Sequence, residues 1–140
     1  RTMQVAPRYE DVVGEVGSFL EAQATLVRSA GADPASIAID PGIGFGKTVV
    51  HNTELLRRLG DLVAIGYPVV IGASRKTFLG KLSGSDVAAD RDNATIATTA
   101  LAVAAGAACV RVHEVERSRQ VADVAWAIAR SREGPAEAPI

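Results

Sequence analysis

Over residues 9–30 the apolar side chains fall at Val12 and Val13, Val16, Phe19 and Leu20, Leu26 and Val27, and Ala30, with the polar Gln23 as a miss. Steps of three and four residues gather them on one face of an amphipathic helix, which Gly31 ends and Asp33-Pro34 turns away from. The pattern then changes. Ile37-Ala38-Ile39 is a short apolar run closed by Asp40-Pro41 and a glycine-rich loop over 42–46, the pattern of a strand buried on both faces. Leu55, Leu56, Leu59, Leu62 and Val63 predict a second helix that begins near Asn52 or Thr53 and stops at Gly66. Pro68-Val69-Val70-Ile71-Gly72 predicts a second buried strand, running straight into Ala73-Ser74-Arg75-Lys76. A polar loop over 83–92 leads to an Ala/Thr-rich helix over 93–105, and Val110-Arg111-Val112-His113 reads as the third strand. A last helix over 117–130 shows Val121, Val124, Ala125 and Ile128 on one side, and the tail 133–140 is expected to be disordered.

Strands alternating with helices imply parallel pairing through right-handed crossovers, so the fold class is α/β. No repeat of 20–50 residues breaks the series. Length narrows the architecture: at 140 residues the chain suits one core, whereas a whole eight-unit strand–helix barrel needs about 250 residues. The chain opens Arg1-Thr2-Met3-Gln4 with no methionine in first place, so further chain is expected upstream.

A hydrophobic share of 48% excludes a disordered chain. Fifteen basic residues against sixteen acidic ones leave a formal charge of -1, which is no footprint for nucleic acid. The single cysteine, Cys109, excludes an internal disulfide and a Cys-rich zinc site, and its place before a strand suggests the core. With no signal pattern and no apolar run of ~18 residues, a cytoplasmic protein without a membrane partner is expected.

Each predicted strand ends, and none begins, in unusual polar residues: Asp40 and its glycine loop, Ser74-Arg75-Lys76, and Arg111 with His113. In parallel α/β folds ligands bind beyond those carboxyl ends. The loop Asp40-Pro-Gly-Ile-Gly-Phe-Gly-Lys47 is not a Walker phosphate loop, because the glycine required five places before Gly46 is Pro41. Nor is it a dinucleotide fingerprint, whose third glycine would be Lys47. What remains is a loop of small residues that lets a flat ligand approach the backbone, with Phe45 as a wall. Asp40 would accept from a ring amine and an adjacent ring N–H. Of Arg75 and Lys76, one is expected to point inward and one to guard the entrance. Arg111 and His113, two apart on a strand, share a face opposite Val110 and Val112, and together suit a phosphate or pyrophosphate. His51 reads as structural, Arg57 and Arg58 as a solvated helix face, and Trp126 as a packing or subunit contact.

These three strand ends closely resemble the second half of the dihydropteroate synthase family. The matching stretches are Asp40-Pro-Gly-Ile-Gly-Phe-Gly-Lys47, Gly72-Ala-Ser-Arg-Lys76 with Phe78-Leu79-Gly80, and Arg111-Val-His113, in order over residues 1–130. The resemblance implies the C-terminal part of a (β/α)8 TIM barrel over residues 1–132: about three parallel strands with flanking helices. It implies a transferase of folate biosynthesis that condenses a dihydropterin pyrophosphate with 4-aminobenzoate to dihydropteroate and pyrophosphate, active only with its N-terminal half. Magnesium (Mg2+) would accompany the pyrophosphate, held from the other half with no metal ligand in this portion; sulfonamides would inhibit, and a homodimer is expected. Carried over, Asp40, Gly72, Lys76 and Arg111 bind the pterin, and Arg111 and His113 hold the pyrophosphate. Phe45, Lys76 and Thr77 shape the aminobenzoate pocket, and Arg75 lies at the entrance. Asp40, Lys76, Arg111 and His113 form the catalytic set. Position 77, often Ser in the family, is Thr here. Two other readings stand beside this one. The first is a methylfolate-binding methyltransferase-type domain, against which the Ser-Arg-Lys run counts; the second is a non-catalytic half-barrel module.

Overall fold

A computed structural model describes residues 7–131; the opening Arg1-Thr2-Met3-Gln4 and the tail 133–140 lie outside the described residues. Helix α1 (Val12–Ser29) starts later than Tyr9 because Asp11 caps it, its carboxylate accepting the Val13 N–H at 3.2 Å. Glu15 reaches back to accept the Glu10 and Asp11 N–H groups at 2.8 and 3.2 Å, which fixes the first turn. The second predicted helix is two. α2 (Val49–Arg57) begins at Thr48, whose hydroxyl accepts the His51 N–H while His51 Nδ1 accepts the Thr48 N–H. His51 is thus the return half of a capping box, which moves the start ahead of Asn52. At Arg58 the backbone leaves the helix (φ -103°, ψ 28°) and resumes as α3 (Leu59–Val63), with Leu55, Leu59 and Leu62 still fully inside. Arg58 is more than a solvated residue: its guanidinium bridges Asp11 and Asp61 and ties α1 to the break. Arg57 pairs with Glu54 on the surface.

The sheet is shorter than expected. β1 (Val70–Ile71) pairs in parallel with β2 (Cys109–Val110), Val70 opposite Cys109 and Ile71 opposite Val110. The first predicted strand reduces to a single parallel bridge, Ile39 to Val69, closed by Ile39 N–H to Pro68 and Val70 N–H to Ile39 at 2.9 and 2.8 Å. A 3-10 turn (Pro34–Ser36) precedes this run and Pro41, which has no N–H to offer a ladder, closes it off, so only the four residues 37–40 lie between.

Burial is also one-sided. Ile39, Ile71 and Ala73 face the helices and are buried, whereas Ala38 and Cys109 stand exposed on the other face beside the half-buried Val70. The expectation of strands buried on both faces, and of Cys109 in the core, is corrected: no second layer covers that face among the described residues. A short helix follows β1. α4 (Thr77–Ser83), for which the pattern predicts no element, buries Phe78 and Leu79 and ends at Gly84 in the left-handed conformation. α5 (Asp92–Ala104) then packs on the sheet and against α6 (Val115–Arg130).

Several predicted stripes stay partly uncovered. On α1, Phe19, Leu26 and Val27 are exposed. Between α5 and α6, Ala100, Leu101, Ala104, Val121, Val124 and Ile128 line a shallow apolar groove, with Leu101, Val124 and Ile128 all more than half exposed. Trp126 is exposed too, with the Arg130 guanidinium 4.5 Å from its ring centre. Among the described residues no helix is long and apolar enough to cross a membrane.

Candidate functional site

Continuing the β1–β2 register past its last pair sets Gly72 beside Arg111 and Ser74 beside His113. The contacts agree. A Cβ on Gly72 would strike Arg111 Nη2 and lie 3.0 Å from its Cζ, so only glycine leaves room for the guanidinium across the strand end. Ser74 Oγ lies 2.7 Å from His113 Nδ1 and accepts the His113 N–H at 3.2 Å. Val110 and Val112 turn the other way, toward Thr95, Thr98 and Thr99 of α5, so Arg111 and His113 share a face as their spacing implies.

Between Ser74 and Lys76 the chain makes a turn that few side chains tolerate: Arg75 has φ 57°. Three residues at the start of α5 hold it there. The Arg75 N–H donates to Thr95 Oγ1 at 3.0 Å, its carbonyl accepts from Arg91 Nη1 at 3.0 Å, and its guanidinium forks onto Asp92 at 2.7 and 2.8 Å. Arg91 is buried and also donates to the Ser85 and Asp86 carbonyls, so one guanidinium fixes both the 84–88 loop and the turn. The hydrogen bonds from Arg75 hold the Asp92 carboxyl below the usual aspartate range. Arg75 therefore stands at the rim with its charge committed to Asp92. Lys76 is the cation left to face inward.

Lys76 meets the glycine loop. Its stem crosses Gly44, where a Cβ would sit 2.9 Å from Lys76 Cδ, and its ammonium lies 3.6 Å from the Phe45 ring centre. Burial and the positive charge of Arg111 push the Lys76 ammonium below the usual lysine range, and the Asp40 carboxylate opposes them. Arg111 and Asp40 thus both lie within electrostatic reach of Lys76. The loop is braced from within. Asp40 accepts the Gly42 N–H at 2.8 Å, buried Asn52 accepts the Gly44 N–H at 2.7 Å, and Lys47 donates to the Gly42 and Phe45 carbonyls, both at 3.2 Å. Burial lowers the Lys47 ammonium as well, again against the pull of Asp40.

Two hollows result. Gly72, Ser74, Arg75, Lys76, Arg111 and His113 line one of about 530 Å³, while Asp40, Phe45 and Lys47 line a neighbour of about 740 Å³ together with residues of α1. Lys76 on Phe45 joins them. Thr77 is exposed at the start of α4 and lines neither hollow. Among the described residues no three His, Cys, Asp or Glu side chains gather as a metal would require. Residues that sequence reasoning passed over are Ser74, Lys47, Asn52, and the trio Arg91, Asp92 and Thr95. Ser74 bonds His113 and the trio holds Arg75, while Lys47 and Asn52 brace the glycine loop; only Lys47 and Ser74 lie inside a motif.

A parallel α/β layer with a glycine loop, a carboxylate and converging cations at the carboxyl ends of its strands defines a small-molecule site of the barrel type. The family model described as "Pterin binding enzyme" matches residues 1–113, and the chain belongs to that pterin-binding, dihydropteroate synthase family. It is 48% identical over 117 residues to the dihydropteroate synthase of Neisseria meningitidis serogroup C, covering 83% of this chain and 41% of that protein. Among solved structures it is similar to the dihydropteroate synthase of Thermus thermophilus, in one structure in complex with 6HMPPP and in another with 4-aminobenzoate. Both match at TM-score 0.85 and 46% identity, over 91% of this chain and about half of the other. The Yersinia pestis enzyme in a sulfonamide drug complex matches at TM-score 0.87 and 30% identity, over 91% of this chain and 46% of the other. The chain spans about two fifths of the length of that curated relative.

Proposed function

We propose that the chain is the C-terminal part of a (β/α)8 barrel whose whole is a dihydropteroate synthase, joining 4-aminobenzoate to a dihydropterin pyrophosphate with loss of pyrophosphate. The observation that carries this reading is the gathering of Lys76, Arg111 and His113 around one hollow at the carboxyl end of the sheet, with Asp40 in the adjoining hollow within electrostatic reach of Lys76. Similarity to relatives solved with the pterin ligand and with 4-aminobenzoate supports the two substrates. The uncovered face of the sheet supports a larger barrel.

The chemistry suits these groups. The pterin's exocyclic carbon loses its bond to pyrophosphate and forms one to the amine nitrogen, which then sheds its extra proton to water; positive charge grows on the ring and negative charge on the departing anion. Asp40, steadied by the Gly42 N–H, takes the ring's amino and N–H groups and offsets the growing positive charge. Lys76 donates to the pterin's carbonyl oxygen and ring nitrogen. Arg111 lies over the ring through the gap at Gly72 and, with His113, receives the pyrophosphate. Phe45 and Lys76 wall the aminobenzoate pocket, open to sulfonamides, with Thr77 at its edge and Arg75 at the entrance. This is electrostatic preorganisation with no protein nucleophile. Magnesium belongs to the reading as a companion of pyrophosphate, but among the described residues no three His, Cys, Asp or Glu side chains gather to hold it, and its protein ligand is expected from the other half. The apolar groove of α5 and α6 supports a homodimer through that face.

The test is turnover. The chain joined to the N-terminal half of a family member should incorporate labelled 4-aminobenzoate into dihydropteroate. Binding of the pterin pyrophosphate with no incorporation would leave the non-catalytic module standing instead. On the same assembly Gly72→Ala should displace the Arg111 guanidinium and weaken pterin pyrophosphate binding roughly tenfold by calorimetry, with the fold retained.

A further inference from the structure

Ser74 has no part in the chemistry above, yet it is buried between the site's histidine and the turn that carries Lys76. Its hydroxyl oxygen touches His113 twice, accepting the backbone N–H at 3.2 Å and lying 2.7 Å from ring Nδ1. A hydroxyl has one proton to give. The backbone N–H already takes one lone pair of Ser74 Oγ, and among the described residues the acceptor in reach of its proton is Nδ1. The arrangement in which both groups are satisfied has the Ser74 O–H donating to Nδ1, with the ring proton on Nε2. With the proton on Nδ1 instead, Nε2 would turn a lone pair toward an incoming anion.

Resting on the function proposed above, we infer that Ser74 is a positioning residue: it holds His113 as the neutral tautomer protonated on Nε2 and so presents an N–H donor to the leaving pyrophosphate. The same contact fixes the ring's rotation, because the hydroxyl is anchored on the His113 backbone as well as on the ring. Arg111 brings charge from the same strand end, whereas His113 brings a directed hydrogen bond.

The experiment uses the assembled full-length enzyme with this chain as its C-terminal half. Nitrogen-15 spectra, with the His113 signals assigned through His113→Gln, should show Nδ1 unprotonated and Nε2 protonated. Ser74→Ala should give a mixture of tautomers, raise KM for the pterin pyrophosphate roughly tenfold and leave KM for 4-aminobenzoate in place. Ser74→Thr, which keeps the hydroxyl, should restore both the spectrum and KM. A titration with inorganic pyrophosphate should shift the His113 Nε2–H signal in the parent and less in Ser74→Ala at equal concentration. A proton on Nδ1 in the parent, or parent-like KM and spectrum in Ser74→Ala, overturns the inference. An enzyme that makes no dihydropteroate but shows the Nε2 tautomer and its loss in Ser74→Ala refutes the proposed reaction and keeps the Ser74–His113 pairing.

Discussion

Lys76→Ala in the assembled enzyme is expected to lower kcat/KM for dihydropteroate formation at least tenfold, a loss of about 1.4 kcal/mol or more of transition-state stabilisation. Lys76 is the junction of the site: its stem crosses Gly44, its ammonium rests on Phe45, and it lies within the fields of Arg111 and Asp40. Truncation removes the inward cation and also leaves the wall formed by Phe45 without its partner. Asp40→Asn is the matched variant from the opposite charge. It nearly preserves shape and keeps an oxygen for the Gly42 N–H, so a comparable fall in rate isolates the negative charge as the active component. Initial rates with both substrates at saturation, and with each in turn limiting, check the pair. Unchanged rates in both variants would remove the assignment of this site.

Arg91→Met is expected to destabilise the fold by about 3 kcal/mol, read as a lower urea midpoint. One buried guanidinium serves the carbonyls of Arg75, Ser85 and Asp86, and methionine fills the volume while leaving all three without their donor. Neighbouring Gly80 shows how little slack there is: a Cβ there would strike the Ser85 carbonyl and lie 2.5 Å from Arg91 Nε. The variant should also lose activity beyond its loss of folded protein, because the left-handed turn at Arg75 spaces Ser74 from Lys76. A variant as stable as the parent would show that the three carbonyls find water at no cost.

The alternation of helices with apolar runs exposed the α/β class, and the polar residues at three strand ends exposed the site. Periodicity identified which side of β2 Arg111 and His113 occupy, because a strand alternates with period two whatever lies around it. Other features depend on tertiary partners that periodicity does not encode. The first strand shrank to one bridge because its run is boxed in between a 3-10 turn and Pro41. α2 started early because a histidine completed the cap, where capping boxes are read from Glu or Gln. α4 hid in a seven-residue stretch with few apolar positions, too short for a helical period to show. Arg91 and Asp92, in what reads as a polar loop, give no sign that they hold Arg75 from sixteen and seventeen residues away. Cys109 is exposed and not in the core because a two-stranded sheet offers its second face to whatever comes next.

That exposed cysteine makes the chain its own chemical reporter. Cys109 is the only thiol in the sequence and stands beside Val70 on the face that a completed barrel would enclose. A maleimide added to this chain therefore reacts at one known position, and enclosing that face takes the position away. On the barrel proposed above, the fraction of chain that escapes alkylation reads closure directly, before any substrate is added and whatever the reaction.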